Sequence, residues 1–329
     1  MKSTRVLITG GSGYVGSRLA QKLSQEGEIV TVVDKVHPRE RKINFPKKIK
    51  IIHGDLTSKV VCEICLKNID YVIHLAANIG PLTYMRTFQA DILQENCAID
   101  ANLYPAMRDN KIKAVIYSGS SMVFQNSTKF PYIEEDFWKI NPPTNIYGAS
   151  KLIGEYFCRS FKEQYGLDYV IMRYHNIYGA GEDAKGSTPG DIHVIPALVD
   201  KVLNGQYPIE LIGDPMATRP FTYIDDAVNA TALLFREAVK GNKKVINQDF
   251  NIGPRKATKI IDLAKLIWQL IGDGREFKYK TVLTKDITAV RREMDPSKIE
   301  KTVGWVPKTD LKEGIMVVAS WLKTIRMQR

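Results

Sequence analysis

Tyr147 and Lys151 stand four residues apart in the stretch Tyr147-Gly148-Ala149-Ser150-Lys151, so on a helix they share one face. A free tyrosine, with a pKa of about 10, is a poor base at neutral pH. A neighbouring ammonium favours the phenolate and lowers that value. Ser120 follows the strand-like run Ala114-Val115-Ile116-Tyr117-Ser118 and can hydrogen-bond the same oxygen. These three residues suit the oxidation of an alcohol. Tyr147 takes the hydroxyl proton, Lys151 tunes it and Ser120 orients the substrate while hydride leaves the carbon. Tyr and Lys at this spacing also recur by chance, so the pair needs an oxidant site elsewhere in the chain.

That site is legible near the N-terminus. Thr9-Gly10-Gly11-Ser12-Gly13-Tyr14-Val15-Gly16 follows a β-type run, Arg5 to Thr9, and precedes a helical pattern with apolar Val15, Leu19 and Leu23. Glycines at Gly10, Gly13 and Gly16 allow a sharp turn and close approach of the backbone to a pyrophosphate. The helix start offers free N–H donors, of which those of Tyr14 and Val15 belong to the loop. Asp34 ends the next strand-like run about 20 residues on, where an acid meets the ribose 2′-hydroxyl of a dinucleotide. A carboxylate there favours NAD over NADP, while Lys35 and Arg39 nearby leave NADP open.

The positioning elements continue the alternation. Ile49 to Ile52 leads to Gly54-Asp55-Leu56, where Asp55 can accept from an adenine amino group and Leu56 can pack on the ring. Tyr71 to Ala77 is the next strand, and Leu75, Ala76 and Ala77 at its end let a cofactor pass closely. Ser118 sits at the end of the following strand. A long helical stretch is expected from about Tyr84 to Asp109, broken or bent near Pro105, and Leu167 to Arg173 reads as a sixth strand. Strand–helix alternation over half the chain predicts an α/β fold, a Rossmann-type doubly wound parallel sheet with a smaller mixed α/β substrate-binding domain. The expected division is 1–173 for the NAD-binding part, with elements of about 214–252 returning to it. The substrate part takes 174–213 and 253–329.

Composition excludes little. The 329 residues, 44% hydrophobic and 25% charged, are ordinary for a globular chain. No apolar run reaches the ~18 residues of a membrane span, and the first strand begins at once, so a cytoplasmic protein is expected. A net charge of +11 is dispersed and carries no nucleic-acid motif. An anionic substrate such as a nucleotide diphosphate suits it as well as a solvated surface does. Cys62 and Cys65 form a CxxC within a helix-like stretch with no second ligand pair, so they are read as packing residues and no metal is expected.

Taken together, these motifs resemble the extended short-chain dehydrogenases/reductases of the nucleotide-sugar epimerase/dehydratase family. The likeness includes Thr9 to Gly16, Asp34, Gly54-Asp55-Leu56, His74 to Ala77, the Ser120 run and Tyr147 to Lys151. It extends through Arg173 to Gly179, Arg219 to Asp226 and Arg291 to Pro307. The resemblance implies a tightly held NAD that Asn96, Tyr174 and His175 also touch. It further implies a nucleoside diphosphate sugar held by Asn176, Arg219 and Arg291, and a homodimer through the helices at 84–109 and after Tyr147. Arginine suits the phosphates because its fork of donors matches phosphate oxygens.

Family members that dehydrate the sugar carry an Asp-Glu pair just after the catalytic Ser or Thr, and decarboxylating ones keep a Glu there. This chain has Ser121-Met122-Val123-Phe124, without an ionisable group. The simplest outcome is then return of hydride to the opposite face of the same carbon, an epimerisation expected at C4. Ala77 to Gly80, His175 to Gly179 and Lys185 also resemble GDP-mannose 3,5-epimerases, in which a Lys and a Cys move protons. Lys185 matches that Lys, but Met122, which borders the substrate, replaces the Cys. Phe124 for Tyr and Pro220 for an acidic residue are further departures near the substrate. The alternatives are a 3,5-epimerase-like enzyme, a 4-keto-sugar reductase consuming NAD(P)H, and a non-catalytic dinucleotide sensor.

Overall fold

The computed structural model describes residues 3–80, 82–182, 193–282 and 291–327. Lys185 lies outside the described residues. Short runs rich in β-branched residues form a parallel sheet of seven strands. The labelled strands are β1 (Arg5–Thr9), β2 (Ile29–Asp34), β3 (Lys50–His53), β4 (Tyr71–His74), β5 (Ala114–Ser120) and β6 (Asp168–Tyr174). The order across the sheet is β3-β2-β1-β4-β5-β6, closed by Gln248–Ile252 beside β6. The order reverses between β1 and β4, and the strand ends beside that switch form a natural ligand crevice.

Helices cover both faces. On one, α1 (Tyr14–Gln25) packs against α7 (Ile224–Val239), and Leu19, Leu23, Val228 and Phe235 share a core with the sheet. On the other lie α2 (Lys59–Cys65), α4 (Gln89–Asp109) and α5 (Ile146–Tyr165), with Leu103, Tyr104, Met107 and Cys158 inside. Cys62 and Cys65 are both buried in this layer as free thiols, which is a packing role. Burying such side chains contributes roughly 1.5–3 kcal/mol each.

The long helical stretch divides differently from the expectation. Pro105 lies inside an unbroken α4, and the interruption falls at Phe88, between α3 (Leu82–Thr87) and α4. Phe88 has φ −111° and ψ 41°, outside the helical region.

A third cluster is separate from the sheet. It is built by α6 (Val194–Leu203), α8 (Ile260–Ile271) and α10 (Leu311–Met327), around Leu198, Val202, Leu263, Ile267 and Val318. Ser297–Val303 (α9) returns to pack on α7 and the Gln248–Ile252 strand. Among the described residues, no helix is long and apolar enough to cross a membrane.

Candidate active site

One cavity of about 1140 Å³ runs from the Gly10–Gly16 loop, past Ser120, Tyr147 and Lys151, to Arg219 and Arg292. Its floor is made by the carboxyl ends of the parallel strands. Thr9 at the end of β1 is fully buried, and its Oγ1 accepts from the N–H groups of Leu75 and Ala76 at 3.1 Å each. That leaves its proton for Nδ1 of His74, 2.7 Å away, and the His74 Nε2–H then donates to Asp100 at 2.9 Å. This buried chain fixes the ends of β1 and β4 beneath the cavity. Only the backbone part of it was legible as a motif.

The glycine loop fits a dinucleotide. A Cβ on Gly16 would stand 2.2 Å from the Gly10 carbonyl oxygen, and Gly10 itself has φ +67° and approaches the Ala76 backbone. The loop therefore holds its tight form only with glycine at these sites. Among the described residues the buried Tyr14 hydroxyl has no hydrogen-bond partner, and Tyr14 lines the cavity. Such atoms call for a polar ligand. Asp34 accepts from the N–H groups of Ser12 and Val36, both at 2.9 Å, one on each oxygen. A carboxylate has further lone pairs for a ribose. Asp55, Leu56, Leu75, Ala76, Ala77 and Ser118 border the same space. Lys35 is paired with Glu95 and Arg39 does not border the cavity.

The catalytic residues meet because α5 approaches the turn after β5. The Asn145 side chain caps the helix by accepting from the Gly148 N–H at 3.1 Å. A Cβ on Gly148 would lie 2.8 Å from the Met122 carbonyl oxygen. Only a small residue permits that contact, and it sets Tyr147 against Ser120. Ser120 and Tyr147 both border the cavity, where the Ser120 Oγ accepts from the Met122 N–H at 3.2 Å. The Lys151 Nζ donates to the Ser118 carbonyl at 2.8 Å and lies 5.9 Å from the centre of the Tyr147 ring.

The electrostatics differ from the expectation. Burial pushes the Tyr147 phenol up, and the nearby Ser120 hydroxyl pulls weakly against it. Burial also brings Lys151 down to about 8. Within the chain's own groups, desolvation outweighs the help that the ammonium was expected to give. A positive ligand ring beside the phenol would supply the missing charge.

Three expected ligand residues are placed otherwise. His175 is fully buried and does not border the cavity; its ring bonds Tyr132. Asn96 is buried as well, its amide spent on Asn78 and Ser150. Arg291 is half exposed, paired with Glu293 and stacked over Phe130. Its neighbour Arg292 points inward and is buried, with no hydrogen-bond partner for its Nε among the described residues. The segment is extended, and neighbouring side chains of an extended chain face opposite sides. Asn176, Met122 and Arg219 border the cavity as expected, and so does the Tyr174 ring, whose hydroxyl bonds Thr231. Burial lowers Arg219 to about 9, with the Arg292 charge acting in the same direction. Two cations drawn together in a buried site suit a polyanion.

The region 6–253 matches the NAD dependent epimerase/dehydratase family. The chain belongs to that family. Over 97% of its length it is 32% identical to a Methanocaldococcus jannaschii protein provisionally named a UDP-glucose 4-epimerase, 98% of which is covered. Among solved structures it resembles the Thermotoga maritima UDP-glucose 4-epimerase bound to UDP-glucose. That match has 26% identity, a TM-score of 0.83, and coverage of 98% of this chain and 99% of the other. The UDP-N-acetylglucosamine 4-epimerase of Methanobrevibacter ruminantium M1, in complex with UDP-N-acetylmuramic acid, is 28% identical. Its TM-score is 0.83, with 99% of this chain and all of the other covered.

Proposed function

We propose that this protein is an NAD-dependent UDP-sugar epimerase that inverts C4. The observation that carries the reading is the single cavity joining three features in order. The Gly10–Gly16 loop and Asp34 stand at one end, Ser120 with Tyr147 and Lys151 in the middle, and Arg219 with Arg292 at the other. Ser120 orients the sugar hydroxyl, Tyr147 takes and returns its proton, and Lys151 supplies the positive charge beside them. Asn176 and the two arginines hold the diphosphate and orient the sugar. Bound NAD would supply a hydride acceptor that gives back what it takes, leaving no net redox change.

Met122 borders the cavity where dehydrating and decarboxylating members carry an ionisable group, so elimination of water lacks its acid and base. A uridine nucleotide is the base of choice because the solved relatives named above hold UDP-sugars. The reading includes a cytoplasmic homodimer through α4 and α5, supported by the exposed Tyr156 on α5 and Phe88 before α4.

The test is incubation of the purified protein with UDP-, GDP-, dTDP- and CDP-hexoses, with product analysis and cofactor spectroscopy. An isomeric UDP-hexose with the cofactor still oxidised at the end is expected. Stoichiometric consumption of added NAD(P)H would leave a reductase instead. No bound dinucleotide and no product from any sugar would leave a sensor.

A further inference from the structure

Lys35 directly follows Asp34, the acid at the end of β2, and both border the cavity. A cation at that point is what the 2′-phosphate of NADP would need. In the structure the ammonium is already engaged. Its partner is Glu95 of α4, which no sequence motif includes and which borders the same cavity.

Both partners are braced. The Lys35 carbonyl accepts from Nε2 of His53 at 3.0 Å, and the next N–H, that of Val36, donates to Asp34 at 2.9 Å. One oxygen of the Glu95 carboxylate takes Lys35, and the other accepts from the Asn78 side-chain amide at 2.8 Å. Asn78 is fixed in turn. Its N–H donates to the Asn96 side-chain oxygen at 2.6 Å, and its carbonyl accepts from the Asn96 amide at 3.1 Å. Its side-chain oxygen accepts from the Tyr84 hydroxyl at 3.0 Å. Lys35 follows β2 and Asn78 follows β4, with β1 between these strands. The ion pair therefore joins the two sides of the crevice at the carboxyl end of β1, where the glycine loop begins.

We infer that Glu95 is a specificity-determining residue: by engaging the Lys35 ammonium it withholds the cation that would otherwise receive the 2′-phosphate of NADP. The inference rests on the proposed reading, in which Asp34 faces the ribose. Asp34 supplies repulsion and Glu95 removes an attraction, so the two act on the same choice by different means. The side chain of Lys35 is 50% exposed and that of Glu95 21%, so solvent weakens the pair and its effect is a modest factor.

The test is equilibration of the purified protein with equal amounts of NAD and NADP until the bound ratio is constant. Free dinucleotide is then removed, and what denaturation releases is quantified. Glu95→Gln keeps an acceptor for Asn78 and drops the charge. It should raise the bound NADP:NAD ratio about fivefold over the parent. Glu95→Gln with Lys35→Met, which removes the freed ammonium, should return the ratio to within about twofold of the parent. An unchanged ratio in Glu95→Gln overturns the inference. So does a gain that persists in the double variant, since Lys35 would then play no part in it. A parent protein that binds neither dinucleotide would remove the proposed cofactor site and the inference together. Bound NAD in the parent with an indifferent Glu95→Gln would remove the inference only.

Discussion

The Nζ of Lys151 donates to the Ser118 carbonyl oxygen across 2.8 Å. That bond ties the end of β5 to the second turn of α5 and holds an ammonium in a nearly dry site, where burial has brought it down to about 8. The sign of the consequence is definite. Lys151 titrates near 8 when folded and at the ordinary lysine value of 10.5 otherwise. Between these values the folded chain binds fewer protons, so stability rises with pH across that window, and the cost is fully present below pH 8. Lys151→Met should lower kcat by about 10²–10⁴. In the same variant the folded state at pH 7 should gain at most about 3 kcal/mol, a gain that fades toward pH 10. Urea denaturation at pH 7 and pH 10 reads the difference; equal stability of parent and variant at both would contradict it.

Arg292 and Arg291 differ by one position and face opposite ways. Arg292→Met should raise KM for a UDP-sugar about 10- to 100-fold, the value of a buried charge-assisted hydrogen bond to phosphate. Arg291→Met should leave KM within about twofold, because an exposed ion pair such as that with Glu293 contributes little. Steady-state kinetics of the two variants side by side decide it, and a reversal would mean that the phosphate lies against Arg291.

On the proposed reading, Asp34 selects the cofactor. Its carboxylate repels a 2′-phosphate, while Lys35 is occupied by Glu95. Asp34→Asn should narrow the preference for NAD over NADP by about tenfold. Titration of both dinucleotides checks this, and an unchanged ratio would assign the discrimination to another group.

Glu134 is 4% exposed and accepts from the Asn251 N–H at 2.7 Å. Burial raises its carboxyl to about 7, from 4.5. The folded state therefore binds more protons than the unfolded one between pH 4.5 and 7, and stability falls as pH rises through that window. Glu134→Gln keeps the acceptor and drops the charge. It should leave stability at pH 4.5 nearly unchanged and raise it at pH 8 by up to about 3 kcal/mol. Denaturation curves at the two values provide the check; a gain at pH 4.5 of the same size would contradict the titration.

What was legible in the sequence is what local spacing controls. The Gly10–Gly16 loop, Asp34, and the Tyr147–Lys151 pair are each set by one strand end or one helical turn, and all border the cavity. The helix break was misplaced because Pro105 draws attention, although its missing N–H is tolerated within α4, whereas Phe88 carries no signal of its own. The exchange of Arg291 for Arg292 was illegible for a different reason. The facing of an extended segment depends on its register with Tyr132, more than 150 positions away. That the His175 ring turns to Tyr132 rather than to the cavity was illegible on the same ground, since Tyr132 belongs to an irregular stretch that no periodicity marks.

The central claim is that hydride leaves and returns to one carbon. It is tested most directly with UDP-glucose deuterated at C4, incubated with the protein and read by NMR and mass spectrometry. UDP-galactose that keeps its deuterium at C4 is expected, with the cofactor oxidised at the end, and no conversion by Tyr147→Phe. Deuterium lost to solvent, or NADH accumulating in step with a keto-sugar, would contradict it.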